Sequence, residues 1–107
     1  MKILFDQGTP APLRHTLANY SVVTAFEQGW SDLQNGDLIR VAEADDFQVL
    51  ITTDQNLKYQ QNLRGRKLAI LVLLTTSGPK IQKQAGKVSM AVDSLKPGDY
   101  QEMDFGD

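Results

Sequence analysis

The sequence predicts a three-layer α/β/α domain with a mostly parallel sheet of four to five strands. Two aliphatic runs, residues 49–51 and 68–74, are typical of strands that a parallel sheet buries on both faces. Strand-like and helix-like patterns alternate along the chain, which favours parallel strands joined by right-handed crossovers. No linker divides the chain, so residues 1–107 are expected to form one domain.

Each predicted element has its own local signal in the first half of the chain. Strands are expected at residues 2–5, 21–25 and 48–53. Thr9 and Pro10 are typical of the start of a short helix, whose apolar side carries Leu13 and Leu17. Asn35 is the expected cap of a second helix that ends near residues 45–46.

The second half continues the alternation. A short helix is expected over residues 56–63, a buried strand over 68–74 and an edge strand over 100–105. The last helix starts at residues 78–79. Its aliphatic residues form one stripe at helical spacing: Ile81, Ala85, Val88, Val92 and Leu95. That stripe either covers the sheet or forms a homodimer seam.

Composition excludes several classes of protein. The 107 residues include no cysteine and one histidine, His15, which excludes disulfides, cysteine–zinc sites and histidine-rich metal centres. No segment has the ~20 apolar residues of a membrane span, and residues 1–6 lack a signal-peptide core. We therefore expect a cytoplasmic protein with no membrane partner.

Acidic residues follow two predicted strands. Asp6 comes directly after the first strand, and Asp54 ends the third. Ligands of open α/β sheets bind beyond the carboxyl ends of the strands, and hard cations such as Mg²⁺ take carboxylate ligands. Asp37 is a third candidate in the first turn of its helix, where an Asp also serves as plain helix-end stabilisation.

Several motifs resemble the DUF5615 group of PIN-like proteins. They are MKILFD at residues 1–6 followed by Pro10, GWS at 29–31, GDLI at 36–39 and VLITTDQNL at 49–57. The resemblance covers about residues 1–75 well and the final helix loosely. It implies a PIN-like fold and a ribonuclease that hydrolyses RNA phosphodiester bonds with Mg²⁺ or Mn²⁺. It also implies the toxin component of a toxin–antitoxin pair, with a cognate antitoxin as partner.

The resemblance assigns roles to individual residues. Asp6, Asp37 and Asp54 match the catalytic and metal-binding acids of PIN-like proteins. Glu27 is the acid in the stretch where the family places a further glutamate, and it is either a fourth metal ligand or a surface residue. Gln7 is a departure, because many relatives carry a glutamate after the first Asp.

A basic block follows the acids. Residues 58–96 carry eight bases and one acid, a net charge of +7, typical of a phosphate-binding face or of a solvated surface. Candidate RNA-binding cations are Lys58, Arg64, Arg66 and Lys67. Tyr59 either stacks on a base or packs in the core, and Asn56 either binds the substrate or caps its helix.

Two other functions compete with the ribonuclease. Gln7 and the uncertain fourth acid favour a catalytically silent PIN-like module that binds RNA or a protein partner. A phosphoryl-transfer receiver of flavodoxin-like fold also has an acidic Mg²⁺ site, but it needs a strand-end lysine that the sequence does not clearly supply.

Overall fold

The structure is a computed structural model that describes residues 2–60 and 65–106, and of residues 59 and 60 the backbone alone. Five strands are present: β1 (Lys2–Phe5), β2 (Ser21–Thr24), β3 (Val49–Thr52), β4 (Ala69–Leu73) and β5 (Tyr100–Met103). The helices are a 3₁₀ helix (Ala11–His15), α1 (Asn35–Ala44), α2 (Leu57–Gln60), α3 (Gly78–Lys83) and α4 (Ala85–Ser94).

The five strands form one all-parallel sheet in the order β2-β1-β3-β4-β5. This confirms the predicted α/β class and is consistent with a PIN-like layout. Every residue of β3 and β4 is buried, as the two aliphatic runs predicted. Truncating a side chain such as Leu50 to alanine is expected to cost about 2–5 kcal/mol of folding free energy.

Two apolar clusters cover the two faces of the sheet, which gives three layers. Alternate residues of a strand point to opposite faces. Phe5 and Ile51 therefore join the cluster formed with the 3₁₀ helix, α3 and α4. Leu4 and Leu50 join the cluster formed with α1 and α2.

The last predicted helix is two helices. Gln84 has φ −116° and ψ 25°, outside the helical region, and separates α3 from α4. Their apolar stripe, including Ile81, Val88 and Val92, is buried against the sheet. The stripe therefore covers the sheet and does not form an exposed dimer seam.

The connection from β4 to β5 crosses the sheet with the opposite hand to the other three. The 3₁₀ helix connects β1 to β2, towards the β2 end of the sheet. The helices α3 and α4 cover the same face as the 3₁₀ helix but connect β4 to β5, towards the other end of the sheet. The connections through α1 and α2 also lead in that direction but cover the other face. Right-handed crossovers throughout were therefore a wrong expectation. Since α1 and α2 occupy one face, the β4–β5 connection covers β3 and β4 on the other.

Candidate functional site

The carboxyl ends of β1 and β3 form the point where the direction of strand connection reverses. From β1 the chain passes to β2 on one side, and from β3 it passes to β4 on the other. Parallel α/β sheets bind ligands in the crevice at this place. Asp6 follows β1 and Asp54 lies two residues beyond β3, so both lie at what we call the carboxyl edge of the sheet.

Thr52 joins the two acidic residues. Its side chain is fully buried, and its hydroxyl donates to Asp6 Oδ2 at 2.6 Å. The Thr52 hydroxyl oxygen also accepts a hydrogen bond from the backbone N–H of Asp54 at 3.1 Å. A buried polar side chain with both bonds satisfied holds its partners in one geometry.

The loop after β1 is fixed to the end of β3. The Asp6 N–H and the hydroxyl of buried Thr9 both donate to the carbonyl of Ile51, each at 2.9 Å. Gly8 lies so close to Thr53 that a Cβ at Gly8 would overlap the Thr53 hydroxyl. The position of the Asp6 carboxylate is thus set by a well-anchored loop.

Asn35 is a site residue that the sequence analysis assigned to capping alone. The observed N-cap of α1 is Gln34, and the Asn35 side-chain amide donates to Asp54 Oδ2. Asp54 Oδ1 also accepts from the backbone N–H of Asn56 at 2.9 Å. The Asn56 side chain is exposed at the same edge. The Asn-Gly-Asp sequence at residues 35–37 was the available signal, because it opens a helix beside a strand end.

The structure does not bring Asp37 and Glu27 into contact with this pair. The Asp37 carboxylate forms an ion pair with Arg40 one turn along α1, at 2.7 Å. Glu27 pairs with Arg14 at 2.5 Å and accepts from the N–H of Thr24 at 2.9 Å. Among residues 2–60 and 65–106, no group of three or more His, Cys, Asp or Glu is arranged to hold a metal ion.

Arg14 also determines the protonation of Glu27. Its hydrogen bond, followed by that from the Thr24 N–H, lowers the pKa of the Glu27 carboxyl from 4.5 to about 2. The two residues line a cavity of about 450 Å³ between the 3₁₀ helix and the end of β2, together with His15. Glu27 therefore has a structural partner, which fits the surface-residue alternative better than the metal-ligand one.

The donor chemistry of the edge fits a hard divalent cation bound through few protein ligands. Asp6 and Asp54 supply carboxylate oxygens, and Mg²⁺ often binds one or two carboxylates with water and substrate phosphate completing its coordination. The side chains that donate hydrogen bonds to these two carboxylates are neutral: the Thr52 hydroxyl donates to Asp6, and the Asn35 amide donates to Asp54.

The predicted RNA-binding cations do not gather at this edge. Arg66 pairs with Glu43 at 2.9 Å, and Lys67 precedes β4, so both lie at the amino edge. The strands are four to five residues long, so the amino edge lies about 15 Å from Asp54. A cavity of about 590 Å³ lies there, and its lining includes Lys67, Lys96, the acids Glu43 and Asp46, and apolar residues such as Phe47. The expectation that Arg66 and Lys67 steer phosphates to the acids is therefore wrong, because these two residues lie at the opposite edge of the sheet from Asp6 and Asp54.

The remaining basic and aromatic candidates have different outcomes. Lys58 forms an ion pair with Glu102 of β5 at 2.8 Å, and this bond lowers the pKa of the Glu102 carboxyl. Arg64 and the side chain of Tyr59 lie outside the described residues. Phe26, which the sequence analysis did not single out, is 75% exposed in the loop after β2 at the carboxyl edge.

The strand ends also bear on the receiver hypothesis. Residues 74–77 after β4 read Leu-Thr-Thr-Ser, and residues 104–106 after β5 read Asp-Phe-Gly. Neither segment supplies the strand-end lysine that receiver chemistry needs, so this hypothesis lacks a required cation.

Comparisons with family models, curated proteins and solved structures found no match. Within the described ranges, no helix has the length and apolar character needed to cross a membrane.

Proposed function

We propose that this protein is a metal-dependent ribonuclease that cleaves RNA phosphodiester bonds at the carboxyl edge of its sheet. The observation that supports it best is the link from the Asp6 carboxylate through Thr52 to Asp54. Two acids that follow neighbouring strands, fixed by part-buried hydrogen bonds at the reversal point of the sheet, suit the binding of a cation and a phosphate.

Asp6 and Asp54 would hold Mg²⁺ or Mn²⁺, with water and a phosphate oxygen as further ligands. When bound, such a cation lowers the pKa of water and stabilises negative charge on phosphate oxygens. The protein's own residues fix the acids: Thr52 orients Asp6, and Asn35 orients Asp54. Asp37 is a proposed third acid that would have to leave Arg40 to contribute.

The biological setting belongs to the same proposal. The resemblance of residues 1–75 to PIN-like proteins supports a toxin that acts on cytoplasmic RNA and is held inactive by a cognate antitoxin. Exposed Phe26 at the carboxyl edge supports an RNA substrate, because an exposed ring provides a stacking surface for an unpaired base.

A specific observation favours a catalytically silent PIN-like module as the second candidate. Asp37 and Glu27 are each paired with an arginine, and Gln7 replaces an acid beside Asp6. Two remaining carboxylates attract a cation less strongly than four would. In this alternative the same edge binds RNA or a protein without hydrolysis.

Cleavage of a labelled single-stranded RNA separates the two candidates. The wild type should cleave with Mg²⁺ or Mn²⁺ and stop on addition of a chelator, and Asp6→Asn and Asp54→Asn should lose the activity. Asp46→Asn is the matched control, because Asp46 is exposed before the amino end of β3 and its φ of 64° suits asparagine. Binding of RNA without metal-dependent cleavage would reject the ribonuclease and support the silent module.

A further inference from the structure

The lysines and arginines of the described residues fall into two groups. Five form ion pairs with acids: Lys2, Arg14, Arg40, Lys58 and Arg66. Within the described ranges, five lysines form no ion pair: Lys67, Lys80, Lys83, Lys87 and Lys96. The unpaired charges are the ones able to meet an anionic partner without first breaking an internal contact.

Three of the unpaired lysines lie within eight residues of sequence, on α3 and the first turn of α4. We call Lys80, Lys83 and Lys87 the lysine row. All three side chains are exposed, and residues 78–92 include no acid. In a protein whose net charge is −2, this is a concentrated positive surface.

Contacts at both ends of α3 fix the lysine row at the carboxyl edge. α3 begins after the carboxyl end of β4, where the Ser77 side chain caps it by accepting from the Lys80 N–H at 3.3 Å. α3 contacts the 3₁₀ helix that follows Asp6 and Thr9, and Ile81 is buried in the core below it. The Gln84 amide donates to the carbonyl of Phe105, just beyond β5, at 2.8 Å.

We propose that the lysine row binds the phosphate backbone of single-stranded RNA and leads the strand to Asp6 and Asp54. This rests on the proposed function and names the substrate-binding surface that Arg66 and Lys67 do not provide. Lysines position a nucleic acid by phosphate contacts without reading its sequence.

The composition of the row favours RNA over an acidic protein. Residues 80–87 expose lysines, Gln82 and Gly86, while Ile81 is buried; the exposed large apolar side chain of these two helices is Met90, one turn beyond the lysine row. Protein interfaces rely on buried aromatic or aliphatic anchors and are depleted in lysine. A flexible row of ammonium groups suits a chain of phosphates.

Two double variants with the same change of charge test the proposal. Lys80→Gln/Lys83→Gln removes two charges from the row, and Lys67→Gln/Lys96→Gln removes two unpaired charges at the amino edge. Binding of a fluorescent single-stranded RNA is measured by anisotropy in the presence of chelator, between about 50 and 200 mM salt. Circular dichroism and thermal unfolding check that both variants fold.

The row variant should bind more weakly than the wild type, and the slope of log affinity against log salt should be shallower by about 1.4, or 0.7 per phosphate contact. The amino-edge variant should bind like the wild type. Equal losses in the two variants, no loss in the row variant, or no RNA binding by the wild type would overturn the proposal.

Cleavage assays on the same proteins keep this test separate from the ribonuclease proposal. If the row variant loses RNA binding and the wild type never cleaves, the proposal that the lysine row binds RNA is supported and the ribonuclease proposal is rejected. If the wild type cleaves and the row variant binds and cleaves equally well, the lysine row fails and the ribonuclease stands.

Discussion

The Thr52 hydroxyl donates to Asp6 Oδ2 at 2.6 Å across two neighbouring strands. The Thr52 side chain is fully buried, whereas Asp6 is half-buried. The hydroxyl also accepts from the Asp54 N–H, so a single oxygen controls the geometry of both acids. Thr52, the first threonine of the Val-Leu-Ile-Thr-Thr-Asp run, is therefore part of the site and not only of the strand.

Thr52→Val removes that oxygen while keeping the shape of the side chain. Loss of a buried hydrogen-bond partner leaves the Asp54 N–H unsatisfied and should reduce the free energy of unfolding by about 1–3 kcal/mol. RNA cleavage should fall as well, because the acids lose their common anchor. Thr52→Ser keeps the hydroxyl and is the control, measured by urea unfolding and by cleavage rate. A loss in Thr52→Ser that Thr52→Val does not share would assign the role of Thr52 to its methyl group.

Gly8 is predicted to tolerate no side chain while Thr53 is present. An alanine Cβ at Gly8 would overlap the Thr53 hydroxyl, and the loop that positions Asp6 would shift. Overpacking of this kind costs about 1–3 kcal/mol. Urea unfolding of Gly8→Ala, Thr53→Ala and the double variant forms a double-mutant cycle. The double variant should recover most of the loss. A strictly additive cycle would contradict the contact.

Residues 49–54 explain why much of the fold was predictable from the sequence. Burial on both faces requires an unbroken aliphatic run, and the run is visible without any alignment or structure. Asp6 and Asp54 were predictable neighbours for the same reason, since each follows a buried parallel strand. The pairing of Asn35 with Asp54 was not predictable, because it depends on how α1 is oriented over the sheet.

Arg66 and Lys67 show a different kind of failure. They lie close to Asp54 in sequence, but the chain between two parallel strands must return to the amino edge before the second strand begins. Residues directly before β4 therefore lie at the amino edge, and Arg66 there pairs with Glu43. Proximity in sequence was the wrong criterion. The helix α3, which carries Lys80 and Lys83, follows the carboxyl end of β4 and so begins at the edge where Asp6 and Asp54 lie.

The ion pair of Glu27 with Arg14 is expected to make stability depend on acid pH. The pKa of Glu27 is lowered from 4.5 to about 2 in the folded protein, so the unfolded state binds more protons between these values. The stabilisation is present in full above pH 4.5 and is lost as the pH falls towards 2. Because the group is exposed, the effect should be modest.

The measurement compares the melting temperatures of wild type and Glu27→Gln from neutral pH down to about pH 2. The wild type should be more stable at neutral pH, and the difference should disappear on acidification. The same comparison in an Arg14→Gln background removes the main cause of the low pKa and should give a smaller pH-dependent difference. A difference that is constant with pH would show that the charge of Glu27 is not responsible.

Asn35→Asp places a third carboxylate against Asp54. Without metal, the two like charges should repel and lower the melting temperature, because the amide donor to Asp54 is also lost. With Mn²⁺ the extra oxygen ligand should bind the cation, so the metal-induced rise in melting temperature should exceed that of the wild type. Asn19→Asp, an exposed change two residues before β2, is the control. Equal metal-induced shifts in all three proteins would argue against a cation at Asp54.

Phe26 is expected to contribute to RNA affinity and little to stability. The backbone around it is fixed: the Ala25 N–H donates to the carbonyl of Phe5, and the Trp30 N–H donates to the carbonyl of Ala25, both at 2.8 Å. The Phe26 ring is nevertheless 75% exposed, beside the strand that leads to Asp6. Because the backbone around the ring is already ordered, only the side-chain torsions of Phe26 lose freedom when a base stacks on it.

Phe26→Ala should weaken the binding of single-stranded RNA by about 5- to 150-fold, since stacking contributes about 1–3 kcal/mol per base. Phe26→Tyr keeps an aromatic face and should retain most of the affinity. Met90→Ala is the matched control, because Met90 is 72% exposed on α4. Binding is measured by anisotropy in chelator, and stability by urea unfolding. If Phe26→Ala and Met90→Ala bind RNA with equal affinity, the ring is not a stacking surface. If Phe26→Ala loses RNA affinity and Phe26→Tyr does not, the loss is due to the aromatic face of residue 26. That result places the RNA across the ends of β2, β1 and β3.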